Sequence, residues 1–181
     1  MSTSISTSPA SSVGNFYDMT ALKIRSAKAA DAQAIIDLIA ANFTVSDFPE
    51  HLRIEHSSQV EALMSRGRFL LAEENNLVVA CAYVEPRQEA SRLELLAVLP
   101  KHRRTGIGSQ LLEAVEQLSR TMQCPFIHVR IMNLSRELLG FCRRRGYIEF
   151  ELEPLSSTTP FSPHCHLVKM CKHLDKSVRG F

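Results

Sequence analysis

The sequence predicts a single α/β domain: a mixed, mostly antiparallel twisted sheet flanked by helices. Three observations carry that prediction. A chain of 181 residues is long enough to bury one substantial core and short for two. Stretches with strand-like alternation or continuous apolar character occur between stretches with helical spacing, in the order βα(α)βββαβαββ. No internal repeat and no second compositional block interrupts that order.

Leu22–Ser26 alternates apolar and polar residues and reads as the first strand. From Ala29 to Phe43, the residues Ile35, Ile39 and Phe43 recur at i, i+4 and i+8, the stripe of an amphipathic helix. Asp31 suits the first turn of that helix, where a carboxylate meets the positive end of the dipole. Phe48 to Arg66 is more polar and holds a second helix. Arg68–Ala72 and Leu77–Val84 form two strands around Glu-Glu-Asn-Asn, a hairpin-type turn. Ser91–Leu99 is nearly continuously apolar after Arg92 apart from Glu94, as in a strand covered on both faces, and Pro100 ends it. Gly106-Ile-Gly108 then opens a helix with Ile107, Leu111, Leu112, Val115, Leu118 and Met122 on one face, closed by Cys124-Pro125. Phe126–Ile131 is a strand, and Leu134–Arg145 a short helix stopped by Gly146 at its C′ position. Tyr147–Leu152 and His164–Met170 supply the last two strands.

Bulk properties narrow the partners. The formal charge of +2 is too small to make nucleic acid or a membrane surface the main partner. The basic residues are instead local, in Lys101-His102-Arg103-Arg104 and Arg143-Arg144-Arg145. Five cysteines form no framework, and the hydroxyl-rich opening 1–18 has neither the basic nor the apolar part of a secretion signal, so it reads as a disordered leader in a reduced, cytoplasmic protein. The domain is expected over 19–175, with a tail at 176–181. No apolar run is long enough to span a bilayer.

The informative stretch runs from Leu96 to Leu112: a strand, a short basic glycine loop and a helix N-terminus in direct succession. Glycines at 106 and 108 let the backbone turn sharply and approach a ligand closely. The N–H groups of the first helical turn then face outward, with a dipole of roughly half a charge behind them. That arrangement binds a pyrophosphate, and Arg103 and Arg104 add charge. A Walker A loop would need Gly-Lys-Ser/Thr, but Gly108 is followed by Ser109-Gln110. A dinucleotide fingerprint would need a small residue where Leu111 stands. The remaining pattern is R-x-x-G-x-G, filled by Arg103, Gly106 and Gly108 and preceded by Val98 and Pro100.

This pattern resembles motif A of the GNAT superfamily of N-acetyltransferases, where it binds the pyrophosphate of CoA. Glu137 to Tyr147 resembles the family's motif B, and His166–Lys172 its last strand, so the likeness covers roughly Leu22 to Leu174. The resemblance implies a GNAT fold and transfer of an acetyl group from acetyl-CoA to a primary amine by direct attack, without a metal. It places the cofactor on Leu96, Ala97 and Val98, on the loop Arg103, Arg104, Thr105, Gly106, Ile107, Gly108 and Ser109, and on Arg144 of motif B. A polar residue at the start of the motif B helix corresponds to Asn133 or Ser135. The backbone N–H near Val98 would face the thioester carbonyl and stabilise its oxyanion.

The mechanism needs an amine freed of its proton, since an alkyl amine has a pKa of roughly 10. Glu94, alone in its apolar strand just before the cofactor loop, is the candidate base. The family's usual tyrosine, which protonates the departing thiolate, falls on Cys142. A thiol with an ordinary pKa of about 8.5 is suited to donate a proton, and a water could serve instead, but a cysteine at that position more often acts as a small core residue. The tyrosine's absence also motivates an alternative function, an acyl-CoA-binding sensor or scaffold with little catalysis. His164, Cys165, His166, Cys171 and His173 do not form a zinc site, because alternate residues of a strand face opposite ways. His128 reads as an ordinary strand residue. Acceptor selectivity is assigned to Phe48–Arg66 and the Pro154–Pro163 loop, neither of which identifies the amine. The family likeness allows a homodimer, though nothing in the composition demands one.

Overall fold

The computed structural model of the protein describes residues 22–42, 54–154 and 165–174. The leader, the C-terminal tail, Phe43, Phe48 and most of the Pro154–Pro163 loop lie outside the described residues. Within them, seven strands form one sheet: β1 (Lys23–Ser26), β2 (Arg68–Glu74), β3 (Leu77–Pro86), β4 (Ala90–Val98), β5 (Phe126–Met132), β6 (Ile148–Pro154) and β7 (His166–His173). Four helices flank it: α1 (Ala32–Asn42), α2 (Ser57–Arg66), α3 (Ile107–Thr121) and α4 (Arg136–Arg144). The strand order is β1-β2-β3-β4-β5-β7-β6, and every neighbouring pair is antiparallel except β4 and β5.

Local chemistry explains the turns. Asn75 and Asn76 both adopt positive φ, 54° and 63°, the two left-handed positions of a tight hairpin, which asparagine tolerates. The helix expected to start near Ala29 begins with a 3-10 turn at Ala29–Asp31. There the Asp31 carboxylate accepts from the Lys28 backbone N–H at 2.7 Å, and Arg25 bridges Asp31 and Glu73, tying the turn to the hydrogen-bonded pair β1–β2. At the end of α4, Gly146 (φ 84°) donates to Arg143 O and Tyr147 N–H reaches back to Cys142 O, the paired bonds of a Schellman stop.

Two apolar clusters sit on opposite faces of the sheet. α3 and α4 cover one, where Leu111, Leu112, Val115 and Cys142 meet Ile127, Val129, Ile131, Val168 and Met170. α1 and α2 cover the other, where Ile35, Ile39 and Val60 meet Phe69, Leu71, Cys81, Tyr83 and Leu95. The second cover is partial: α1 lies on β3 and β4, and α2 on β2, so among the described residues no helix packs closely on β5, β7 and β6 on that face.

β4 reaches both clusters by alternation, and a bulge shifts which of its residues face each side. Leu93 pairs with Val84 and Leu95 with Tyr83, leaving Glu94 as the extra residue between them. Leu93 therefore packs with α3 while Leu95 and Ala97 pack with α1. The nearly continuous apolar run is explained: it serves two faces.

Candidate active site

The bulge coincides with a parting of strands. β4 and β5 pair over only four positions, Ala90 with Phe126 through Leu93 with Val129. Beyond them β4 stays bonded to β3, and β5 to β7, but not to each other. A wedge opens there, with Glu94–Val98 on one side and Arg130–Met132 on the other.

The glycine loop stands at the C-terminal end of that wedge. Pro100–His102 forms a 3-10 turn, Arg104 takes φ 64°, and Gly106 caps α3 with φ 91°. Only glycine adopts that last conformation without strain, and a Cβ there would meet nothing within 4 Å, so the space over the helix end is open. The first helical bonds run from Ser109 N (3.0 Å) and Gln110 N (3.1 Å) to Gly106 O. The N–H groups of Gly106, Ile107 and Gly108 precede that ladder and have no acceptor within the helix. Open space, a helix N-terminus and the arginines of the loop together fit an anionic pyrophosphate.

The side chains expected at the cofactor are placed unevenly. Arg103 folds back: Nη2 donates to Asn42 Oδ1 of α1 at 2.9 Å and Nε to Val98 O at 3.3 Å. Arg104 is 85% exposed and lies 3.6 Å from Glu137 in the first turn of α4. Thr105 Oγ1 donates to His102 O at 2.7 Å, holding the loop closed. Leu96 and Val98 are half-buried at the wedge, while Ala97 points into the α1 cluster. Arg144 is exposed on α4, its Nη1 lying over Gly140. Asn133 ends the β5–β7 ladder, its Oδ1 accepting from His166 N at 3.2 Å.

Glu94 is at the point of the wedge. Its carboxylate is 8% exposed and takes Arg130 Nη2 at 3.0 Å and Arg92 Nη1 at 3.2 Å. The Arg130 link spans from β5 to β4 where backbone pairing has ceased. Cys142 is elsewhere in character: 2% exposed, packed in the α3–α4 cluster, with its thiol pushed up to about 11 by burial and by the Glu116 carboxylate.

Sequence reasoning missed the cavity beside the wedge. About 260 Å³ in size, it lies on the face of the sheet opposite α3, and Arg92, His128, Arg130 and Lys169 line it with Glu151 and Phe150. The alternation of β5 held the signal: Ile127, Val129 and Ile131 enter the core, which sends His128 and Arg130 to the other face. Among the described residues no group of three or more His, Cys, Asp or Glu is arranged to hold a metal, and no helix is long and apolar enough to cross a membrane.

Residues 65–149, from the end of α2 into β6, match the family model of an acetyltransferase (GNAT) domain. The chain has the GNAT fold. Two amino-acid acetyltransferases are similar to it in sequence: that of Buchnera aphidicola (28% identity over 139 residues, 75% of this chain and 29% of the relative) and that of Pseudomonas aeruginosa (32% over 90 residues, 49% and 20%). The chain thus spans less than a third of these curated relatives. In three dimensions the GNAT domain resembles a ribosomal-protein-alanine N-acetyltransferase from Brucella melitensis, with a TM-score of 0.72 at 23% identity over 84% of this chain and all of that one. It also resembles the Salmonella typhimurium protein yncA with its cofactor acetyl-CoA, with a TM-score of 0.69 at 20% identity over 86% and 95%. These likenesses establish the fold.

Proposed function

We propose that the GNAT domain is an acetyl-CoA-dependent N-acetyltransferase acting on a primary amine. The observation that carries this reading is the conjunction of an anion-binding helix end at Gly106–Gly108 with a wedge in which β4 and β5 cease to pair with each other beyond Leu93 and Val129. Acetyl-CoA brings the acetyl thioester. The N–H groups of residues 106–108 and the loop arginines bind its phosphates, and the freed backbone of β4 near Val98 orients the carbonyl. Leu96, the backbone of Ala97 and Asn133 shape the cleft, and Arg144 adds charge from α4. Glu94 accepts the proton that the attacking amine gives up as its C–N bond forms, directly or through one water, while the CoA sulfur departs. Arg92 and Arg130 fix the orientation of Glu94 and make no bond to the reacting atoms.

The burial of Cys142 favours a packing role over donation to the sulfur, which takes its proton from water. The domain is assigned to 19–175 and to the cytoplasm, in keeping with five free cysteines. The missing tyrosine supports a second reading, an acyl-CoA-binding module without turnover. Thermal shift with acetyl-CoA, CoA, ATP and NAD, followed by thiol release with an amine panel, separates the two. A ligand at a hundred times its Kd adds about 2.7 kcal/mol of stability. A shift with the CoA compounds and thiol release supports the enzyme; a shift without release supports the module; no shift with CoA compounds overturns both.

A further inference from the structure

We propose that the cavity beside the wedge is a carboxylate-binding subsite, so that the acceptor is a small amine that also bears a carboxylate, a free amino acid in kind. This rests on the acetyltransferase reading and names its substrate class. The wall of the cavity presents Arg92, Arg130 and Lys169 beside one carboxylate, Glu151, which pairs with Lys169 at 3.0 Å. Two further carboxylates that are not part of the wall hold the cations in place: Glu94 takes Arg92 and Arg130, and Glu153 takes Lys169 at 3.0 Å and Arg130 at 4.0 Å. The cationic side chains are thereby fixed before a ligand arrives, which lowers the ordering cost of binding.

The geometry suits a carboxylate in particular. A guanidinium presents its donors as a planar fork that matches the two oxygens of a carboxylate, and a single ion-pair partner among the described residues leaves Arg92 with N–H groups to spare. His128 answers to the same field: burial and the charges of Arg92 and Lys169 lower its pKa, leaving a neutral ring able to share a hydrogen bond. Its ring lies 5.2 Å from that of Phe150, which gives an apolar surface for a short carbon chain. Position agrees with the chemistry. Arg92 and His128 pair one step before β4 and β5 separate, and Arg130 is the first residue of β5 past that point. The subsite is thus one or two residues, roughly 3–7 Å of strand, from Glu94 and the point of the wedge. A polyamine carries no carboxylate for the Arg92 fork to bind.

The test compares amino acids with their carboxamides, and with spermidine, in thiol release from acetyl-CoA. The expected result is a kcat/KM at least tenfold higher for the acid than for its amide, with spermidine poorest. Arg92→Gln and Lys169→Gln should bring the acid-to-amide ratio towards one, and Lys169→Arg should restore part of it. Calorimetry of acid and amide against the CoA complex reads the same preference without turnover and covers a variant that turns over poorly. Equal use or equal binding of acid and amide, or preference for spermidine, overturns the subsite and leaves the enzyme reading standing. Absence of any CoA-dependent shift or thiol release is the separate failure of that reading.

Discussion

Two carboxylates, Glu94 on β4 and Glu116 on α3, are nearly equal in burial, at 8% and 6% side-chain exposure, and both are surrounded by cations. Their settings differ. Glu116 closes a knot inside the fold: Lys172 of β7 donates to both its oxygens at 2.9 and 2.8 Å, the Tyr147 hydroxyl donates at 3.2 Å, and Arg120 stands 3.7 Å away. Three elements are tied by one anion, and the tie faces packed protein. Glu94 lies at a bulge where two strands separate, with partners that line an open cavity. Equal burial and pairing thus serve opposite ends, and the difference is legible only in what lies beyond the partners.

The largest expected effect breaks the comparison at Glu94. Replacing it by Gln keeps the shape but removes the proposed proton acceptor, and kcat/KM should fall by about 10²- to 10⁴-fold while circular dichroism stays that of the folded protein. Glu116→Gln should do the reverse. Leaving Lys172 and Arg120 without their anion should cost roughly 3 kcal/mol in urea unfolding, with activity per folded molecule within threefold of the parent. Activity loss at unchanged stability would instead move Glu116 into the chemistry. A third carboxylate sharpens the contrast. Asp31 is held at a pKa of about 2 by its hydrogen bonds with Arg25, against an ordinary 3.8. Its stabilising contribution is complete above the ordinary value and is lost as pH falls towards 2, so Asp31→Asn should flatten the acid limb of the stability curve only in that window.

Much of this was legible in the sequence because local patterns determine it. The strand and helix order, the left-handed Gly106 and Gly146, and the double-faced burial of Leu93–Val98 follow from spacing and turn chemistry. Glu94 stood out because a lone carboxylate in an apolar strand requires a reason. Its partner Arg130 did not, since the contact joins residues 36 apart in sequence and depends on where two strands diverge. Lys169 and Phe150 join the cavity for the same reason, through the β5–β7–β6 register. Arg103 matched its motif, yet its guanidinium lies against Asn42 of α1, a contact that no motif encodes. The knot around Glu116 was equally hidden: α3 was read from its apolar stripe, and a charged residue flanking that stripe looks solvent-bound until β7 is laid across it.

The parting of β4 and β5 has a consequence for solubility. Unpaired strand edges recruit other chains into aggregates, and proteins blunt them at the outside of a sheet. Here the outer edges are modest: β1 has four residues, and β6 alternates Glu149, Glu151 and Glu153 along its length. The edges freed beyond Leu93 and Val129 lie inside the molecule instead, walled by α3 on one face. An inward edge keeps its hydrogen-bonding groups available for a small ligand while denying them to the edge strand of another protein.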